Sequence, residues 1–440
     1  MNGLLSIPEV SGLVAPQQLV RIPDQKDVPI TSRVRRLIDS SAFSRLRGIS
    51  QLGLVGYVYP GATHSRFEHS LGVYLNALLY LQHLARYSEV EKLIDPGQAE
   101  CFLVAALMHD VGHWPFCHPM EDLQLDGWPT HESTAAHYLA SAELRKLLKT
   151  DWGIEPAEVL ALLSKKVSTP GQRLLGSMLS GPIDVDKMDY LYRDSLHAGV
   201  PYGRQFDASR VIASLCLNES GDGIAITEKG RTAAELMVFA RYIMFSEVYW
   251  HPAVRSATAM LQRMVFELRH QLNPTHLLAC TDEAVRQQFR EAAASADVDN
   301  LAAGLFGPQR QLYKRVTQFS YCDQPELFGK LSRRPYWQLV QVSEYLARRV
   351  TQEIGSVVTD TDILVDAPPP GLEVQFNVNV KMERSQRFRP LGEISPVVQA
   401  LATKQFDDFV KRVRVFVHPR LRESCGAELI GRLLLEWCET

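Results

Sequence analysis

The chain is 440 residues long with 46% apolar and 22% charged side chains, an ordinary globular composition with enough length for one large body and a smaller lobe. A formal net charge of −3 removes any electrostatic case for a protein that coats polyanions, while leaving room for a local basic pocket. Seven scattered cysteines, none spaced CxxC, favour a reducing cytoplasm and argue against structural zinc. The opening MNGLLSIPEVSGLVAP is not built like a signal peptide, and no apolar run approaches membrane-spanning length, so a soluble cytoplasmic protein is expected.

Residues 1–30, rich in proline and short apolar pieces, read as an irregular arm or a strand pair. Helical spacing begins at Ser32 and runs through VRRLIDSSAFSRLRGISQL. The turn GLVGYVYPGATHS follows, then a helix through RFEHSLGVYLNALLYLQHLARY. In that helix Phe67, Leu71, Leu75 and Leu78 share a face and His69 lies off it. Next, Cys101 to Met108 are eight apolar residues without a polar face, which reads as a helix buried on all sides. It runs straight into His109 and Asp110, and Gly112 and Pro115 are expected to stop it. Ionisable groups at the edge of a core are tolerated when they are paired or hold a metal, so this pair marks a site.

His131 to Leu148 is helical again, and the break Ser180-Gly181-Pro182 starts a helix over IDVDKMDYLYRDSL. GIAIT reads as one strand of a hairpin. TAAELMVFARYIMFSEVYW reads as one long apolar helix ending at His251-Pro252, with a further helix to Leu272. Near the end, VDAPPPGLEVQFNVNV and RVRVFVHP carry strand patterns. The expected architecture is a mainly α core with an N-terminal arm over residues 1–270 and a smaller α+β lobe over residues 271–440.

His69, His109, Asp110 and Asp186 together offer two imidazoles and two carboxylates. That donor set suits a divalent ion such as manganese, iron or magnesium with positions left for water, and such an ion suits phosphoester hydrolysis. Asp186, Tyr190 and Asp194 are spaced four apart and share one broad helical face. Arg241 and Tyr249 are eight apart, about two turns and roughly one side.

The segments RLRGISQLGLVGYVYPGATHSRFEHSLGV, LMHDVGHWPFCHPME, HES and DVDKMDYLYRDSLHAG stand in this order between about residues 20 and 250. In them the chain resembles the HD-superfamily deoxynucleoside triphosphate triphosphohydrolases, most of all the vertebrate dNTP-depleting members without their N-terminal interaction domain. The resemblance implies a helical HD-domain core, a metal on His69, His109, Asp110 and Asp186, and a reaction that releases deoxynucleoside and inorganic triphosphate. It implies that Arg66, His113 and Lys187 meet the triphosphate and that His118 and His131 sit at the scissile phosphate, with Glu121 where the family often has Asp. It also implies that Asp194 and Arg241 clamp the sugar 3′-hydroxyl, that Tyr249 packs under the ribose, and that Tyr190, Gln51 and Leu52 complete the substrate contacts. Asp39, Arg47, Arg310 and Lys314 match one activating-nucleotide site between subunits of a tetramer, and Arg210 and Lys229 partly match another. The family's His-containing turn near the N-terminus is shortened here to PDQKDVPIT, and Pro252 stands where the resemblance calls for a lysine just past His251; GTP or dNTP activation is expected through the positions that match. The competing readings are an HD-type phosphodiesterase or single-strand nuclease, and a non-catalytic nucleotide sensor.

Overall fold

The computed structural model describes residues 3–24, 26–294, 296, 298–369, 378–402 and 410–439. The arm is a strand pair, β1 (Gln18–Ile22) and β2 (Lys26–Ile30), joined antiparallel. The helical stretch from Ser32 is broken into α1 (Ser32–Ile38) and two short turns over Ser41–Ser44 and Arg45–Gly48. Thr31 and Ser40 accept hydrogen bonds from the backbones of Val34 and Phe43 and so start new helices there.

Two buried helices form the centre. The first, α2 (Arg66–Leu84), is capped by Ser65 and buried almost all round. The second, α3 (Pro96–Met108), begins with a capping box: the side chain of Asp95 accepts from Gln98 N at 2.9 Å, and Gln98 accepts from Asp95 N at 3.2 Å. The helix ends at Met108 with His109 as its cap, ahead of the glycine and proline that the sequence pointed to. The turn that follows places Phe116 in the left-handed region at φ 55° and leads into α4 (Cys117–Glu121). The helical stretch from His131 is split: α5 (His131–Leu139) ends before Ser141, which caps a separate helix. Asp184 caps α6 (Val185–Ala198), which packs on α2 and closes on Gly199 at φ 70°.

Strands β3 (Leu215–Leu217) and β4 (Ile224–Thr227) form the expected hairpin. The long apolar helix is α7 (Arg231–Ile243) followed by a π turn over Met244–Tyr249, a wider winding than one continuous α-helix. Then come α8 (Pro252–Leu268), α9 (Asp282–Ala293), α10 (Asp299–Phe306), β5 (Lys314–Phe319), α11 (Tyr336–Ile354) and β6 (Ile363–Asp366). The chain ends with β7 (Asn379–Lys381), β8 (Phe388–Pro390), β9 (Val413–Val417) and α12 (Ala427–Glu439). The strand expected over LEVQFNVNV lies largely outside the described residues, and only its end is seen as β7.

Two further sheets result, in the orders β3-β4-β7-β8 and β5-β9-β6. In the first, the C-terminal strand β7 pairs parallel to β4, so residues after 378 join the core of the first half. The second is antiparallel and packs against α11 and α12. The protein is mainly helical, with smaller strand-containing parts toward the C-terminus. Among the described residues no helix is long and apolar enough to cross a membrane.

Candidate metal and phosphohydrolase site

The end of α3, the start of α2 and the start of α6 meet at one point. His69 Nε2 lies 3.0 Å from Asp186 Oδ1 and 3.1 Å from His109 Nε2, and His109 Nε2 lies 3.7 Å from the same carboxylate oxygen. The other ring nitrogen of each histidine is already engaged. His69 Nδ1 is 2.9 Å from Asp189 Oδ2, and His109 Nδ1 is 2.9 Å from the carbonyl of Ala106. An imidazole that donates through Nδ1 presents a lone pair at Nε2, so two lone pairs and a carboxylate face one another. Such an arrangement is repulsive unless a proton or a metal cation joins it, and two imidazoles with a carboxylate are a donor set that fits a divalent metal. Burial disfavours the charged ring of His69, yet Asp186 and Asp189 push its pKa up to about 10. The same centre thus attracts positive charge.

Asp110 adjoins this trio on the His109 side. Its Oδ1 is 3.5 Å from His109 Nε2 and 3.0 Å from His113 Nδ1, while Oδ2 accepts from Arg66 Nη1 at 2.8 Å. Burial would raise its pKa, but Arg66 and the neighbouring imidazoles hold it well below the usual carboxylate range. Burial and the adjacent Arg66 keep His113 neutral.

A cavity of about 430 Å³ opens over these groups, a size suited to a small molecule. Gln51, Arg66, His113, His118, His131 and Tyr190 line it beside the trio. On one side Glu121 accepts from the backbone N–H of His131 at 2.6 Å and from its Nδ1 at 2.9 Å; His118 Nδ1 is 3.7 Å away. Burial works against charge on both partners, but the contact lowers the pKa of Glu121 and raises that of His131. Burial also pushes the Tyr190 phenol above its ordinary value.

One helix further along, Tyr249 Oη donates to Asp194 Oδ2 at 2.6 Å, and His64 Nε2 meets Asp194 Oδ1 at 2.9 Å. Arg241 is buried at the end of α7 with its guanidinium over Phe245, near enough to Tyr190 and Tyr249 to act on both electrostatically. Lys187 pairs with Asp184 at 2.5 Å, and Leu52 packs against the core; neither lines the cavity. Among the residues expected to meet an activator, Arg210 donates to the carbonyl of Lys229 at 3.2 Å. Arg310 donates to the carbonyl of Tyr57 and borders a separate surface cavity together with Lys314. Asp39 and Arg47 are exposed, with Arg47 over the ring of Phe67.

Sequence reading missed several groups that shape the site. Asp189 orients His69 and also holds Arg193 through two bonds of 2.7 Å. Arg193 reaches on to Glu68, so its neighbours make it a buried link between α6 and α2. Arg45 donates to the carbonyls of Val111 and His113 at 2.8 Å each and pins the turn after His109. The three-residue spacing from Asp186 to Asp189 was a visible signal. For Arg45 and His64 the partners are a backbone and a distant helix, which no local pattern displays.

A helical body with paired histidines and aspartates at this junction defines an HD-domain phosphohydrolase fold. The HD domain model matches residues 66–193, and the HD associated region model matches residues 206–436. An uncharacterized protein of Methanocaldococcus jannaschii is 32% identical over 392 residues, covering 87% of this chain and 76% of its own. The chain belongs to the family of HD-domain proteins that carry the HD associated region. The deoxynucleoside triphosphate triphosphohydrolase of Gallus gallus is 31% identical over 248 residues, 49% of this chain and 40% of that enzyme. Among solved structures, a hypothetical protein from Aquifex aeolicus superposes with a TM-score of 0.71 at 27% identity, covering 94% of this chain and 99% of that one. A phosphohydrolase from Bacteroides thetaiotaomicron shares the fold, with a TM-score of 0.68 at 20% identity over 91% of this chain and 99% of that one.

Proposed function

We propose that the protein hydrolyses deoxynucleoside triphosphates to deoxynucleoside and inorganic triphosphate. The observation that carries this reading is one cavity bordered by a metal-type trio, an Arg–His pair suited to phosphate, and a Glu-held imidazole. A divalent ion on His69, His109, Asp110 and Asp186 would supply Lewis acidity and offset phosphate charge. Arg66 and His113 then bind phosphate oxygens, joined by Lys187 once it turns from Asp184. Water adds to the α-phosphorus as the sugar oxygen leaves, and His131, oriented by Glu121 and assisted by His118, gives that oxygen a proton. Asp194 accepts from the 3′-hydroxyl near Arg241, while Tyr249 fills the space a 2′-hydroxyl would need. Tyr190 and Gln51, which line the cavity, border the sugar and base.

Activation by GTP or a dNTP through Asp39, Arg47, Arg210, Lys229, Arg310 and Lys314, and a homotetramer, belong to the same proposal. The test is to incubate metal-loaded protein with each dNTP, alone and with GTP, and separate the products by chromatography. Deoxynucleoside plus triphosphate is expected. Mono- or diphosphate products would reassign the chain to another phosphohydrolase reaction, cleavage of single-stranded DNA to a nuclease, and tight binding without turnover to a sensor. Equal rates with and without GTP, and no change in assembly size, would remove the activator sites.

A further inference from the structure

A second set of donor atoms converges at the mouth of the cavity. His118, Glu121 and His131 each bring one ligand-capable atom, and the three lie within 4.8 Å of one another. Glu121 Oε2 is 3.7 Å from His118 Nδ1 and 2.9 Å from His131 Nδ1. Ligands bound tetrahedrally to zinc at about 2.0–2.2 Å stand roughly 3.4 Å apart, so the observed spacings bracket what that ion requires. The set is also built rather than accidental. His118 and Glu121 are three residues apart on α4, and the carboxylate is fixed by the backbone N–H of His131 at 2.6 Å. The His118 side chain is 63% exposed, which gives an ion a path from solvent. His131 belongs as well to a trio with His113 and Cys117, whose ligand-capable atoms lie within 4.8 Å of one another.

We propose that His118, Glu121 and His131 form a second metal site, suited to zinc and separate from the His69–His109–Asp186 trio, whose occupation turns the enzyme off. Two imidazoles and one carboxylate favour zinc over the harder magnesium and leave one coordination position open. An ion held on His131 Nδ1 replaces the proton that Glu121 holds there, so the ring no longer forms the imidazolium that gives a proton to the leaving group. This last consequence rests on the roles given to those residues under the proposed function; the existence of the site does not.

The experiment is zinc stoichiometry on the full chain, equilibrated with zinc chloride alone and measured by atomic absorption. Two ions per chain are expected for the wild type and one for His118→Ala, a substitution at an exposed position whose unchanged thermal melt confirms an intact fold. His109→Ala is expected to keep one ion, and the double variant none. A single ion in the wild type, two in His118→Ala, or none in His109→Ala would overturn the proposal. In the wild type, zinc added to manganese-loaded protein is expected to suppress turnover as the second equivalent binds; full turnover with two ions bound would overturn the inhibitory role. Stoichiometry does not depend on the substrate, so failure of the triphosphohydrolase assay and failure of the zinc site are separate results.

Discussion

His69 uses both ring nitrogens, one toward the trio and one toward Asp189, and the second contact sets what the first can do. Outer carboxylates of this kind fix the tautomer and raise ligand basicity. Asp189→Asn is therefore expected to weaken metal binding about 10- to 100-fold, read by competition with a fluorescent chelator; unchanged affinity would show that Asp189 serves Arg193 alone. The His131–Glu121 pair makes a different prediction. Glu121 is lowered in the fold, so its stabilising share exists above its ordinary value of 4.5 and is lost as pH falls through the folded value. His131 is raised, so its share exists below 6.5 and is lost as pH rises through the folded value. The groups facing the pair are His118 from α4, His113 from the preceding turn, and Glu132 and Asp110 nearby. The contact is strongest between those two ordinary values, so Glu121→Gln should lose more stability near roughly pH 5.5 than near pH 9 in urea unfolding at each pH. Equal losses would sink this account.

At the scale of elements, α6 does most of the positioning. Asp186 at its first turn joins the trio, Asp189 one turn on holds His69, and Asp194 two turns on meets Tyr249 and His64. Gly72 on α2 makes this packing feasible: a Cβ there would come 1.9 Å from Asp189 Oδ1. Gly112 acts likewise in the turn after α3, where a Cβ would lie 2.0 Å from the carbonyl of His131. The sequence marks Gly112 as a helix stop, but its place in the fold is a close approach that brings His113 over His131, their rings 4.5 Å apart. The π turn at the end of α7 aims Tyr249. Deleting Ser246 would return that turn to α spacing and rotate Tyr249 by about 100°. Under the proposed dNTP hydrolysis, the expected outcome is a lower ratio of kcat/KM for dGTP to that for GTP, with the metal retained. An unchanged ratio would mean that the turn has no part in sugar selection.

For the whole molecule, the joint between the helical body and the β5-β9-β6 sheet is a buried ion pair. Arg255 on α8 donates to both oxygens of Asp366 on β6, at 2.5 and 3.1 Å, and its guanidinium lies 4.0 Å over Trp250. Removing one partner of a buried pair leaves an uncompensated charge at a cost of about 3–5 kcal/mol. Asp366→Ala is expected to lower unfolding stability by that order in guanidinium titration; a loss well under 1 kcal/mol would mean the sheet docks through apolar contacts alone. The parallel pairing of β7 with β4 ties the end of the chain to its first half in a second place.

The sequence by itself determined the local features. The apolar run Cys101–Met108 made a helix buried on every side, the alternation in RVRVFVHP made a strand, and the motif residues His69, His109, Asp110 and Asp186 carried the HD resemblance. These are legible because periodicity and capping act over a few neighbouring residues. Only the tertiary structure decided that Asp110 faces Arg66 and His113 beside the trio, that Asp189 and His64 support the site, and that Arg45 pins the HD turn. Those partners lie far apart along the chain or are backbone carbonyls. Their identity is set by which buried polar groups remain to be satisfied once the helices pack, and the order of residues does not display that.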